Sequence, residues 1–291
     1  MPVRKAVIPA AGFGTRFLPA TKAQPKEMLP IVDRPAIEYQ VEEAVRAGIS
    51  DILIVTSMGK RSIEDHFDRN VELEVFLERK GKTKLLKEVI EISEMAQFHY
   101  VRQKEQLGLG HAVLTARHHV GHEPFVVMLG DDIIPSDPLL EEMLDAHNRL
   151  GCSVVAVMEV DPKDVSAYGV VDVKSRDGAM VEVAGIVEKP AVEEAPSNLI
   201  VIGRYVLMPE IFACLDETPP GAGGEIQLTD GMARLLESQP MYAYVFAGAR
   251  FDIGKKTDFL RANIEMALGR SDLGPEMREV LKEICTRHAL D

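Results

Sequence analysis

The 291-residue chain predicts an α/β fold, a mostly parallel mixed sheet flanked by helices. Short β-branched or apolar runs recur at Val7-Ile8, Asp51-Ile52-Leu53-Ile54-Val55-Thr56 and Phe125-Val126-Val127-Met128-Leu129. Between the first two, Ile37, Val41, Ala44, Val45 and Ile49 repeat near the helical period. Glu38, Glu42, Glu43 and Arg46 mostly take the other faces. Alternating strand and helix signals imply right-handed crossovers, which lay successive strands parallel. Ligands of such Rossmann-like sheets bind outside the carboxyl ends of the strands. The loops at 10–16 and 130–132 are both expected there.

Each element follows from its local sequence. The first strand ends at Pro9 and empties into a loop of tiny residues, Ala10-Ala11-Gly12-Phe13-Gly14-Thr15-Arg16. The second run is bounded by the turn Gly48-Ile49-Ser50, and the third ends at Gly130-Asp131-Asp132. Residues 60–95 are charged and read as mainly helical, with no catalytic grouping. Beyond Cys152, strand patterns follow in tandem at 153–160, 169–173, 180–187 and 199–207; they either extend the sheet or build a β-rich second half. Helical stretches at 256–269 and 275–287 close the chain. With no internal repeat, low-complexity tract or long linker, one domain over 1–291 is expected, with two functional halves.

Composition narrows the function. Hydrophobic residues make up 46% of the chain, enough for a substantial core. The net charge is −13, from 33 Lys+Arg against 46 Asp+Glu, which disfavours nucleic acid or an anionic membrane as partner. Any site for a polyanion must therefore build its own positive field. Cys152, Cys214 and Cys285 are scattered and odd in number, with no CxxC pair. Neither a disulfide framework nor a zinc site is expected, in keeping with a reducing cytoplasm. The opening Met1-Pro2-Val3-Arg4-Lys5-Ala6 lacks a long apolar signal segment, and no run approaches a membrane span.

The 10–16 loop carries the strongest chemical signal. Gly12 and Gly14 permit close backbone approach, Thr15 offers a hydroxyl, and Arg16 offers a planar fork for phosphate oxygens. A second cation, Lys26, follows a Pro-punctuated stretch. Bare N–H groups closed off by cations are how a chain wraps a polyphosphate; the bland alternative is a tight strand–helix turn with an incidental Arg. The loop is not GxGxxG, since Phe17 occupies the third glycine position, and it is not a P-loop. Asp131, Asp132 and Asp252 offer hard oxygens for a divalent cation, although Asp131 or Asp252 alone reads more readily as a solvated loop or cap carboxylate. His118, His119 and His122 have metal-like spacing, but no carboxylate or Cys in the sequence completes a set. They read as surface or structural residues.

Taken together, these runs resemble the sugar-phosphate nucleotidyltransferase family. The signature loop continues through Leu18-Pro19-Ala20-Thr21-Lys22 to Pro25-Lys26-Glu27-Met28-Leu29-Pro30. Further matches are Gly108-Leu109-Gly110-His111-Ala112, Ala167-Tyr168-Gly169-Val170-Val171, Val187-Glu188-Lys189-Pro190 and the stretch 219–230. These motifs are similar to those of the family's bacterial uridylyltransferases acting on glucose 1-phosphate, over nearly the whole chain and in order.

The resemblance implies Mg²⁺-dependent, in-line transfer of a uridylyl group from UTP to glucose 1-phosphate, releasing pyrophosphate. It implies roles for named residues. Arg16 and Lys26 are the catalytic cations. Ala10, Ala11, Gly12, Gly14 and Thr15 form the nucleotide cradle, and Gln103 and Gly108 hold the pyrimidine. Glu27 stands where thymidylyltransferase relatives usually carry Gln; a carboxylate there accepts from uracil N3–H but cannot donate to a carbonyl. Asp131 and Asp252 match the metal aspartates. Chemistry alone does not rank Asp131 above Asp132; alignment to the motif favours Asp131. Gly130 departs from the Pro of many relatives. Gly169, Glu188, Lys189 and Val201 match the sugar-phosphate side, with core packing an equal reading for Val201. Residues 1–150 would serve mainly the nucleotide, 151–255 mainly the sugar, and 256–291 would add helices suited to a homodimer or homotetramer. The competing readings are a thymidylyl- or cytidylyltransferase, an NAD-dependent dehydrogenase, and a noncatalytic relative; the last would be expected to lose Arg16, Lys26 or an aspartate.

Overall fold

Residues 2–135 and 138–289 are described by a computed structural model. In chain order the elements are β1 (Lys5–Pro9), β2 (Pro30–Ile31), β3 (Arg34–Pro35), α1 (Ala36–Arg46), β4 (Asp51–Thr56), α2 (Arg61–Phe67), α3 (Val71–Arg79) and α4 (Thr83–Glu94). There follow β5 (Gln97–Arg102), α5 (Leu109–Leu114), α6 (Arg117–Val120), β6 (Phe125–Met128), β7 (Asp132–Ile133), α7 (Leu139–Leu150) and β8 (Ser153–Glu159). The remainder comprises β9 (Gly169–Asp177), β10 (Met180–Glu188), β11 (Leu199–Leu207), α8 (Ile211–Glu217), α9 (Leu228–Leu236), β12 (Met241–Val245), β13 (Phe251–Asp252), α10 (Lys256–Gly269) and α11 (Gly274–His288).

One nine-stranded sheet runs through the molecule in the order β5-β4-β1-β6-β11-β8-β12-β10-β9. β5, β4, β1 and β6 pair in parallel, as the βα alternation requires. The expectation of a mostly parallel sheet fails beyond β6. There β11 pairs antiparallel with β6 and β8, and β10 pairs antiparallel with β12 and β9, leaving β12–β8 as the parallel pairing of that half. For β9 and β10 the cause is connection length: a two-residue turn at Gly178 (φ 59°) joins them, and a parallel pair needs a crossover of roughly a dozen residues or more. The tandem strands after Cys152 thus extend the first sheet.

Strand alternation sends residues to two apolar layers. Ala6, Ile8, Ile52, Ile54 and Val126 pack with Ile37 and Val41 of α1 and Leu140 and Met143 of α7. Val7, Leu53, Val55 and Val127 face the other way, against Val113 of α5, Leu215 of α8 and Met232 of α9. A smaller cluster, Ile31, Phe251, Ile253 and Ala262, seats α10. It anchors β13, whose Asp252 lies opposite Asp132 of β7, so residues 250–254 return to the end of β6.

Candidate active site

The parallel strands end together, and the segments leaving them meet. The backbone N–H of Ala10 donates to Val55 O (2.8 Å), and the carbonyl of Ala11 accepts from Ser57 Oγ (2.9 Å) and Gln106 Nε2 (3.0 Å). The base of the loop is thus tied to the ends of β4 and β5. Gly14 has φ 64°, open to glycine at little cost, and its carbonyl accepts from Thr21 Oγ1 (2.8 Å). No side-chain atom lies within 4 Å of where a Cβ on Gly12 would sit, so its backbone faces open space.

Three cavities adjoin along this edge. The largest, about 410 Å³, is lined by Ala11, Gly12, Gly14, Thr15, Lys26, Glu27, Gln103, Gln106, Gly108 and Asp131 among others. A second, of 170 Å³, shares Gly14, Thr15, Lys26 and Asp131 with it and adds Arg16 and Gly254. A third, of 130 Å³, shares Leu109 and Leu129 with the first and adds Tyr168, Gly169, Glu188, Val201 and Thr229. Of the residues expected in the cradle, Ala10 is buried beneath the loop and lines none of these spaces.

Where the first two cavities meet, Lys26 Nζ lies 2.6 Å from Asp131 Oδ2. Burial disfavours the charged ammonium, but the Asp131 and Glu27 carboxylates outweigh it and hold the Lys26 pKa above its ordinary value. Burial likewise works against the Asp131 carboxylate, and Lys26 overcomes it, keeping that pKa low. Both groups are charged at neutral pH.

The adjacent aspartates are now distinguished. Asp131 lines the cavities, whereas Asp132 points into the protein, 2.5 Å from Arg250. Burial pushes the Asp132 carboxyl up to about 6, with Arg250 opposing and Asp131 and Asp252 adding to the rise. The Asp132 carbonyl accepts from Gln40 Nε2 (3.0 Å) and Arg204 Nη2 (2.8 Å). Fully buried Arg204 also holds Glu43 of α1 (Nη2–Oε2 2.6 Å), which fixes the 129–132 segment against α1.

Asp252 is nearly buried and accepts from Tyr168 OH (3.1 Å) and the Gly254 N–H (3.1 Å). A Cβ on Gly254 would sit 2.9 Å from Asp252 Oδ1, 3.1 Å from Arg16 Nη1 and 3.2 Å from Asp131 Oδ2. Two carboxylate oxygens therefore border one small space that only a glycine leaves open. Hard oxygens with room for further ligands fit Mg²⁺.

At the third cavity, Glu188 Oε2 accepts from Thr229 Oγ1 (2.8 Å), and Glu188 Oε1 pairs with Lys189 Nζ (2.8 Å). A Cβ on Gly169 would collide with Thr229 Cγ2 at 2.7 Å, and would sit 3.3 Å from Glu188 Oε2 and 3.7 Å from Val201 Cγ2. Gly169, Glu188 and Val201 therefore converge. Lys189 follows with φ 46°, a conformation a non-glycine residue adopts at a cost, and its side chain is half-exposed beside the cavity.

At the far end, Gln103 Nε2 donates to Gly108 O (3.1 Å) and bonds His111 Nδ1 (2.9 Å). Gly108, at φ 104°, packs so closely on Glu225 and Ile226 that a Cβ would lie 2.7 Å from each. Glu27 lines the same cavity but is 1% exposed, and its Oε2 is held by Lys60 at 2.8 Å. Burial lowers the Lys60 pKa despite that partner. A Cβ on Gly130 would press on Glu27 Cγ at 3.2 Å, which gives a reason for the small residue there.

Gly254, Tyr168, Thr229, Gln106 and Lys60 were not assigned roles from sequence. Tyr168 and Thr229 lie inside motifs already quoted, at 167–171 and 219–230, and Gly254 follows two residues after Asp252. Gln106 and Lys60 carry no local signal; only the fold brings them to the loop.

This is the architecture of a nucleotide-handling transferase, and the family model described as Nucleotidyl transferase matches residues 5–268. The chain belongs to that family. It is 54% identical over 286 residues to a UTP–glucose-1-phosphate uridylyltransferase of Bacillus subtilis, covering 98% of this chain and 96% of that one. Among solved structures it is similar to a UTP-bound UGPase from Acinetobacter baumannii, at 45% identity and TM-score 0.91 over 97% of this chain and 99% of that one. It is also similar to a UDP-glucose pyrophosphorylase complexed with UDP-glucose, at 44% identity and TM-score 0.84, covering 92% and 100%. Membership of this family removes the dehydrogenase reading. No helix among the described residues is long and apolar enough to cross a membrane.

Proposed function

We propose that this chain transfers the uridylyl group of UTP to glucose 1-phosphate, giving UDP-glucose and pyrophosphate. The observation that carries the reading is the row of three adjoining cavities, with Lys26 and Asp131 where the first two meet. UTP fits the first two, base toward Gln103 and outer phosphates toward Arg16. Glucose 1-phosphate fits the third, its hydroxyls on Glu188 and its phosphate toward Lys189 and the centre.

A phosphate oxygen of the sugar attacks the α-phosphorus in line; the bond to the bridging oxygen breaks, and pyrophosphate leaves. The nucleophile is already anionic, so no general base is required. The protein's work is to bring two anions together and to neutralise developing charge. Lys26 holds the α-phosphate, and Arg16 steadies the departing pyrophosphate. Asp131 and Asp252 would hold Mg²⁺, which supplies Lewis-acid neutralisation of the phosphate oxygens.

Base choice rests on hydrogen-bond polarity. The amide nitrogen of Gln103 is committed to Gly108 and His111, so its carbonyl oxygen is the group offered to a ligand. An acceptor suits uracil N3–H and opposes cytosine, whose N3 also accepts. Glu27 adds a second acceptor at the base edge. The exposed apolar Leu260, Val280 and Ile284 of α10 and α11 support a homodimer or homotetramer joined there, and the cytoplasm is the compartment proposed for it.

The test is to incubate the enzyme with each nucleoside triphosphate, glucose 1-phosphate and Mg²⁺, following pyrophosphate release. UTP should give the highest kcat/KM. Absence of release with every nucleotide, from folded protein, would overturn the proposal; preference for dTTP or CTP would replace it with the corresponding transferase.

A further inference from the structure

At the opposite edge of the sheet, the fold completes a set of metal ligands that the sequence left unfinished. His119 of α6 places Nε2 2.7 Å from Asp51 Oδ1, and His99 of β5 places Nε2 3.8 Å from the same oxygen. One ligand atom from each of the three residues falls within 4.8 Å of the others. The two imidazole rings lie side by side, centroids 4.6 Å apart at 49°. Asp51 opens β4, and His99 sits opposite Leu53 in the neighbouring parallel strand, so two of the ligands ride on hydrogen-bonded backbone. The third is tethered as well: the carbonyls of His119 and Val120 both accept from Lys5 Nζ at 3.1 Å, and Lys5 lies opposite Asp51 in β1.

We propose that Asp51, His99 and His119 form a binding site for a borderline transition-metal dication, with Zn²⁺ the natural probe. Two imidazoles and one carboxylate suit Zn²⁺, Co²⁺ or Ni²⁺, whereas Mg²⁺ strongly prefers oxygen. Zinc ligand bonds of about 2.0–2.2 Å put neighbouring donors roughly 3.3 Å apart in a tetrahedron. The 2.7 Å and 3.8 Å separations bracket that value, so small side-chain rotations close the site. The Asp51 carboxylate only accepts, so His119 Nε2 carries the hydrogen now; binding requires the other tautomer, freeing the Nε2 lone pair. His99 is about half-exposed, leaving the fourth position to water. The site lies on the amino-terminal edge of the sheet. The segment after Thr56 that reaches the catalytic loop is about 17 Å away at ~3.3 Å per residue, so the cation acts by clamping β4, β5 and α6 and takes no part in turnover.

The experiment uses chelator-treated full-length protein, with UTP and excess Mg²⁺ occupying the catalytic carboxylates. Zn²⁺ is titrated against a chromophoric indicator, and the thermal midpoint is read in parallel. One equivalent should bind and raise the midpoint, and Co²⁺ should give a visible d–d band at the same stoichiometry. His99→Ala and Asp51→Asn should each weaken Zn²⁺ more than about ten-fold while Mg²⁺-dependent turnover is retained, and His118→Ala and His122→Ala should leave it unchanged. His99 is exposed enough that its variant should fold even if His119→Ala does not. Absence of a stoichiometric site, or wild-type Zn²⁺ affinity in His99→Ala and Asp51→Asn, would overturn the proposal.

Discussion

The 12–22 loop and the strands around the third cavity, proposed to serve phosphate and sugar respectively, are built on different principles. The segment from Gly12 to Lys22 is mostly exposed, folds into short 3₁₀ turns with no buried residue, and presents backbone and two cations. The residues of the third cavity sit on or beside long strands: Val201 on fully buried β11, Glu188 at the end of β10, and Thr229 buried in α9. In the proposed reading, cations and backbone N–H groups on an exposed loop meet the triphosphate, a ligand that brings its own charge. Hydroxyls must be met one by one at fixed angles, so the hexose side needs rigid supports.

Four substitutions probe that contrast, from the largest expected effect to the smallest. Lys26→Ala removes the cation at the junction and leaves Asp131 without its partner; kcat should fall about 10²–10³-fold with little change in the far-UV spectrum. A loss confined to KM would assign Lys26 to ground-state binding. Gly254→Ala forces a methyl among Asp252, Arg16 and Asp131, and kcat should drop about 10–10²-fold while the thermal midpoint holds. Thr229→Val deletes the hydroxyl that aims Glu188. KM for glucose 1-phosphate should rise up to about ten-fold and KM for UTP stay put, as a loss near 1 kcal/mol predicts; equal changes in both would erase the contrast between the regions. Glu27→Gln should shift the ratio of kcat/KM for UTP and dTTP by a few-fold. An unchanged ratio would reduce Glu27 to the partner of Lys60.

The readable parts of this molecule share a property: their meaning is local. Gly12, Gly14, Thr15 and Arg16 follow a strand directly, and β1, β4, β6 and β11 announce themselves as apolar runs. β5 is an edge strand, Gln97-Phe98-His99-Tyr100-Val101-Arg102, with no fully buried position, so it carries no run to read. Antiparallel pairing beyond β6 is set by which strands meet, and periodicity within one strand is silent on that. Asp131 and Asp132 are neighbours with the same chemistry, separated only by the direction each faces, and Arg250 decides it from over a hundred residues away. His119 reads as incomplete in the sequence because the residues beside it, Asp51 and His99, come from β4 and β5.

Arg204 has a practical corollary for redesign. On β11, Val201 and Tyr205 line the third cavity, whereas Arg204 reaches α1 and the carbonyl of Asp132 from the sheet's other face. A library that recuts the pocket at 201 and 205 therefore works on one side of a wall whose far side holds the Asp131–Asp132 segment in place. Substrate preference can be explored there without disturbing that anchor, and a library that includes position 204 would mix lost folding with altered selectivity.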